Sequence, residues 1–201
     1  HQLAQAAWDK GVNDYVFEVN GVTKDESIRA DSTIEKLATL PPAFSKDGTV
    51  TAGNSSPLND GAVATLIMSE SKAKELNLEP IAYILSSAVA ALSPDQFTVA
   101  PVPAIKKALE KAGKKISDVA IFEINEAFAT MVLSVLHELP EIDPEKVNPN
   151  GGAIAIGHPI GASGARIVAD LARSLKARGG GIGVAAACIG VGQGIAMVLE
   201  V

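Results

Sequence analysis

The chain has 201 residues, of which 47% are hydrophobic and 20% charged, with a formal net charge of -6 at pH 7. That length suits one ordinary domain, or a domain plus a piece of another, and the balance is that of a soluble globular chain rather than a disordered or fibrous one. The acidic charge excludes a broad basic patch for nucleic acid or anionic lipid, and no apolar run reaches the roughly 18 residues that a membrane span needs.

A single cysteine, Cys188, excludes an internal disulfide and points to a reducing compartment, cytoplasm or organelle matrix. The first residue is His1, so the sequence reads as a processed chain or a fragment.

Residues 21–60 are polar and rich in turn formers, with one short helical patch at 33–40, and read as irregular chain crossing a surface. Beyond it the patterning becomes regular. An apolar run at 62–68 predicts a strand, 70–76 a short helix and 81–89 another strand. Residues 101–112 place Val102, Ile105, Ala108, Leu109 and Ala112 on one helical face, with Pro101 at the start and Gly113 just past the end. A strand follows at 119–124. Met131, Val132, Val135, Leu136 and Leu139 mark a second amphipathic helix ending before Pro140, and Ile167, Val168, Leu171, Ala172 and Leu175 a third, stopped by the glycines at 179–181. Two apolar strands, 182–187 and 195–201, close the chain. This alternation predicts an α/β layered domain with a mixed five-stranded sheet and a C-terminal β-hairpin.

Three turns carry groups with chemistry. His158, followed by Pro159, falls on a predicted strand-to-helix turn; an imidazole there can move a proton near neutral pH, or can simply be capped by backbone. Cys188 follows an apolar strand and precedes Gly190, Gly192 and Gly194. Its thiol can be buried and inert, or can act as acid and base beside a backbone N–H of the glycine turn that serves as an oxyanion donor. Asn125, between the strand ending at Ile124 and the next helix, can be an N-cap or can hold a water against a thioester oxygen. In an α/β sheet such strand ends converge on one crevice. The glycines around His158 do not fit the dinucleotide fingerprint, and they suit tight packing and close backbone approach instead. The lysine pairs 106–107 and 114–115 suit a solvated helix face, or can meet nucleotide phosphates.

Together NEAFA at 125–129, NGGAIAIGHPIGASGAR at 150–166 and CIGVGQG at 188–194 resemble the thiolase family, and the likeness continues through DGTVTAGNSSPLNDGA at 47–62 and PVPAIKKALEKAG at 101–113. The resemblance implies a thiolase-like layered α-β-α fold, with residues 1–78 as the end of the loop domain and last part of the N-terminal domain, and 79–201 as the C-terminal domain. It implies acyl transfer between coenzyme A thioesters: Claisen condensation of two acetyl-CoA to acetoacetyl-CoA, or thiolysis of a 3-ketoacyl-CoA, as in fatty acid metabolism.

In that resemblance His158 activates the nucleophilic cysteine and Cys188 moves the proton on the carbon next to the thioester. Asn125 and the Gly190 N–H serve the oxyanion holes. Ser56 meets the pantetheine arm, with Leu58 in the same stretch, and Ala127, Phe128 and Phe97 border the acyl pocket. The nucleophile itself is expected in a missing N-terminal half or a partner chain, because no second cysteine is present. No metal and no resident cofactor are expected, since coenzyme A and its thioester are substrates. A homodimer or homotetramer is expected as well. Two departures from the family pattern stand out: Pro57 occupies a usual glycine position, and Phe97 one that is often methionine in bacterial short-chain members. Two rival readings are a catalytically silent acyl-CoA-binding or assembly subunit, and a ketoacyl-synthase-like enzyme, in which a second histidine would replace Cys188.

Overall fold

The computed structural model describes residues 1–201. Its centre is a mixed sheet of four strands in the order β1-β4-β3-β2, formed by β1 (Tyr83–Ala91), β2 (Val119–Ile124), β3 (Ile182–Ile189) and β4 (Gln193–Glu200). β2 and β3 run parallel, while β4 is antiparallel to both β3 and β1. Seven α-helices surround or precede the sheet: α1 (Gln2–Asp9), α2 (Ile34–Ala38), α3 (Glu70–Glu75), α4 (Pro101–Ala112), α5 (Ala129–Glu138), α6 (Ala153–Ile156) and α7 (Ile160–Ala177).

Alternation along the strands sorts side chains to two faces. Phe122 and Ile124 of β2, with Val184 and Ala186 of β3, pack with Ile105 and Leu109 of α4 and Met131 and Val135 of α5. Ile121 and Ala185 face the other way, onto Ile167, Leu171 and Leu175 of α7. The result is the expected α-β-α layering. β2 is covered on both faces, which explains why its sequence reads as one apolar run. The helices follow their sequence signals closely. α4 opens with Pro101 at N1 and closes on Gly113, whose φ of 64° accepts the left-handed C-cap.

The sheet has four strands where five were expected, and the missing one is 62–68. That segment has no regular secondary structure and makes no backbone hydrogen bond, and Val63, Leu66 and Ile67 are exposed. A strand exists only through a ladder, and these 201 residues offer 62–68 no neighbour. Two further elements went unread: α1, whose short alanine-rich sequence carries a weak signal, and α6, a single turn between glycines. No helix is long and apolar enough to cross a membrane.

The N-terminal third lies against α6 and α7. Tyr15 donates to the carboxylate of Asp170, Arg173 bonds Asp14, and Ser27 Oγ donates to the Ala155 carbonyl at 2.7 Å. The loop 54–57 is threaded between the C-terminal turns: Ser56 N–H donates to Ala127 O, Ala129 N–H to Asn54 O, and His158 N–H to Pro57 O.

Packing separates two glycines sharply. A Cβ on Gly194 would lie 2.2 Å from the Ala100 carbonyl oxygen, whereas one on Gly164 of α7 would touch nothing within 4 Å. Gly194→Ala is expected to destabilise by about 1–3 kcal/mol, and Gly164→Ala to stabilise by about 0.5–1 kcal/mol. Urea unfolding of the two variants checks both signs.

Candidate functional site

β2 and β3 end side by side, and the turns that follow them carry two of the candidate groups. Asn125 prolongs the ladder by one bond, its N–H donating to Ala186 O at 2.9 Å, and its side chain is buried at 2% exposure. It does not cap α5, whose N-cap is Phe128 with no side-chain bond. The amide instead reaches the other turn, placing Asn125 Nδ2 3.3 Å from His158 Nε2.

His158 sits between α6 and α7, so the turn joins two helices and not the strand and helix that the sequence suggested. Four residues form α6 because the carboxylate of Glu126 is fixed over its start, accepting from Ile154 N–H at 3.1 Å and from Asn148 Nδ2 at 3.0 Å. Asn148 is itself buried and bonds the N–H and C=O of Ile124 like a short extra strand. Gly157 has a φ of 92°, and Asn59 packs so tightly on its α-carbon that a Cβ would lie 2.3 Å from Asn59 Oδ1. Only glycine fits there.

The ring nitrogens of His158 have distinct partners. Nδ1 lies 2.6 Å from Ser163 Oγ, and that hydroxyl donates to Pro159 O at 3.0 Å. With the serine proton used on Pro159, Nδ1–H must donate to Ser163, leaving a lone pair on Nε2 for the Asn125 amide. This assignment follows from the bonding network. Partial burial and the Arg166 guanidinium hold the imidazole pKa below its usual value. The ring also lies at the positive end of α7, which opposes a second proton. Asn125 Oδ1 is buried with no hydrogen-bond partner, leaving an acceptor beside a basic nitrogen.

Cys188 lies near the end of β3, two residues beyond the carbonyl that holds Asn125, so it shares that end of the sheet. Its side chain faces the α4–α5 core with Val184 and Ala186 and is half-buried, neither sealed nor open. No hydrogen bond joins it to Asn125 or His158. Burial pushes the thiol pKa up. In the turn that follows, Val191 and Gly192 carry the positive φ values, 65° and 79°. Gly190 does not, although it lies in the same turn. Its N–H pairs with no backbone carbonyl, and it is exposed.

The remaining candidates surround this corner. Ser56 Oγ donates to Ala127 O at 3.1 Å. Phe128 makes edge contacts with Phe97 at 6.2 Å and with Phe44 at 6.1 Å between ring centroids. Leu58 is 86% exposed and packs with none of them. Ser163, Glu126, Asn148 and Arg166 were not singled out in the sequence. Ser163 and Arg166 lie inside the glycine-rich motif, five and eight residues after His158, where a helical period returns a side chain to the turn. No group of three or more His, Cys, Asp or Glu side chains is placed to hold a metal ion.

The family described as "Thiolase, C-terminal domain" matches residues 78–201, and "Thiolase, N-terminal domain" matches residues 1–71. A relative named "Probable acetyl-CoA acyltransferase" from Staphylococcus aureus strain N315 is 52% identical over 179 residues, which is 89% of this chain and 45% of that protein. Human mitochondrial 3-ketoacyl-CoA thiolase, solved in complex with CoA, superposes with a TM-score of 0.95 at 46% identity, over 99% of this chain and 51% of the other. The Bacillus anthracis acetyl-CoA acetyltransferase gives 0.93 at 47% identity, over 100% and 53%. The chain thus spans about half the length of the relatives it matches.

The raised thiol pKa sets an expected outcome for Cys188, the one cysteine present. Because burial favours the neutral form, the rate of iodoacetamide alkylation should keep climbing to higher pH than that of a free cysteine measured alongside it. Mass-spectrometric rates at stepped pH check this.

Proposed function

Because the chain belongs to the thiolase family, we propose that it forms the C-terminal part of a thiolase-type acyltransferase acting on acetyl-CoA, acetoacetyl-CoA or longer 3-ketoacyl-CoA. The observation that carries the reading is the bonded pair of His158 and Asn125, with the basic Nε2 of the ring turned toward a buried amide at the sheet end that also holds Cys188. This corner offers a base, an acid and oxyanion donors, the set that acyl transfer between thioesters needs.

In the degradative direction, His158 Nε2 takes the proton of a nucleophilic cysteine whose sulfur attacks the 3-keto carbon. The bond between the α- and β-carbons breaks, Cys188 returns a proton to the departing carbanion, and acetyl-CoA leaves. Free coenzyme A, its thiol proton taken by the Cys188 thiolate, then attacks the acyl-cysteine, the carbon–sulfur bond to the cysteine breaks, and His158 returns its proton to the departing sulfur. Condensation is the reverse. Asn125 positions a water that, with His158, stabilises one developing oxyanion, and the unpaired N–H of Gly190 contributes to the other. Phe97, Phe128 and Ala127 border the acyl chain, and Ser56 and Leu58 lie along the pantetheine arm. The nucleophile comes from polypeptide outside these 201 residues or from a partner chain, because Cys188 is the one cysteine here and is engaged in proton transfer. Coenzyme A enters as substrate with no resident cofactor, and the assembled protein is a dimer or tetramer.

The test is thiolysis of acetoacetyl-CoA, followed as loss of its enolate absorbance, with the natural polypeptide that carries this sequence. His158→Ala and Cys188→Ala are each expected to lower kcat by about 10²–10⁴-fold while the fold is retained. A wild-type protein that binds coenzyme A without turnover would identify a binding subunit and sink the enzymatic reading.

A further inference from the structure

Arg166 is a nearly buried cation, its side chain 13% exposed, and burying a guanidinium is costly unless its charge and donors are used. Its evident partner is Asp170, one turn along α7. Yet Arg166 Nε stays 3.8 Å from Asp170 Oδ2 and makes no hydrogen bond, while that carboxylate is bonded by Tyr15 from the N-terminal segment. The hydrogen bond that Arg166 does make runs backwards along the helix, from Nη1 to the Gly157 carbonyl at 2.7 Å. Gly157 is the residue before His158, in a left-handed conformation with Asn59 against its α-carbon.

We propose that Arg166 is a positioning residue for His158, acting through its hydrogen bond to the Gly157 carbonyl to fix the turn that presents the imidazole. The bond is charge-assisted, hence short and directional. It fixes one side of the turn, as the bond from His158 N–H to Pro57 O fixes the other. Burial first, and then the charge of the same guanidinium, hold the imidazole toward its neutral, basic form. Besides Glu126 over α6 and Arg173 of α7, the ionisable groups of this region are Asp25 and Tyr15 from the N-terminal segment, Glu123 from β2 and Asp170 from α7 itself. Burial raises the pKa of each, that of Glu123 well above its usual value.

This rests on the reading of His158 as the base, so His158→Ala is measured alongside Arg166→Met and Arg166→Lys in the natural polypeptide, by acetoacetyl-CoA thiolysis across pH. Arg166→Met is expected to lower kcat by about 10²-fold with KM little changed, and to move the acidic limb of the kcat/KM profile to higher pH, because the ring is more readily protonated without its charged neighbour. Arg166→Lys, which keeps the charge but not the planar donor, is expected to restore the limb while kcat stays reduced. A His158→Ala enzyme with wild-type turnover would overturn the reading of the site itself. An inactive His158→Ala beside an Arg166→Met enzyme with wild-type kcat and an unmoved limb would overturn this inference alone. If Arg166→Met does not fold, as judged by circular dichroism, Arg166→Lys decides: reduced kcat at unchanged KM supports the assignment, and wild-type kcat refutes it.

Discussion

The hydrogen bond between Asn125 and His158 is the constraint around which the C-terminal half is organised. Its two ends come from turns 33 residues apart in sequence, and each is braced separately. Asn125 is held by the β2–β3 ladder, and His158 by Ser163, the Gly157 carbonyl and the loop 54–57. A contact of 3.3 Å between an amide and an imidazole contributes about 1 kcal/mol at most. Its importance is geometric, because the lone pair on Nε2 has a fixed direction only while both turns are immobile. Among the braces Ser163 is buried with its hydroxyl bonded both to the ring and to Pro159 O, and a satisfied buried polar group of that kind helps to specify one arrangement.

Beside its apolar packing on Ile121 and Ala185, α7 also covers a cluster of polar groups. Glu123 points toward α7 from the centre of a buried strand, with no hydrogen-bonding partner and a pKa well above the usual range because burial penalises its charge. Tyr15 and Arg173 stack there, with the guanidinium carbon 4.4 Å from the ring centroid. The N-terminal segment is therefore joined to the domain by ionisable side chains, through Tyr15 with Asp170 and Asp14 with Arg173. A mainly polar seam of this kind depends on protonation state where an apolar one would not.

Much of this was legible from residue patterns, and the exceptions have physical causes. α4, β2, α5, α7 and the terminal hairpin carry strong local signals in periodicity, Pro101, Gly113 and the glycines at 179–181, and all formed. The motif turns at Asn125 and Cys188 were found at strand ends because the sheet delivers them there. His158 was placed after a strand that proved to be α6, a one-turn helix that exists because Glu126 and Asn148 hold it, and such long-range bonds have no periodicity to read. Ser163 and Arg166 escaped for a similar reason: a serine and an arginine inside a helix look like ordinary helix residues until a folded turn lies within reach. Gly190 and Gly192 lie in the bend after Cys188, whereas Gly194 belongs to β4 and a non-glycine residue, Val191, shares the left-handed conformation with Gly192. The fifth strand was the clearest misreading, since β-patterning reports a surface that suits a sheet and says nothing of whether a neighbour is there.

That unpaired segment has a consequence for the behaviour of these 201 residues on their own. The run Ala-Val-Ala-Thr-Leu-Ile-Met at 62–68 has no charge and no proline, Val63, Leu66 and Ile67 are exposed, and its amide groups make no backbone hydrogen bond. Such a stretch is a template for cross-β stacking between identical molecules. Left uncovered, it makes the preparation's colloidal lifetime a matter of concentration, and a single lysine on its outward face would lengthen that lifetime without touching the fold.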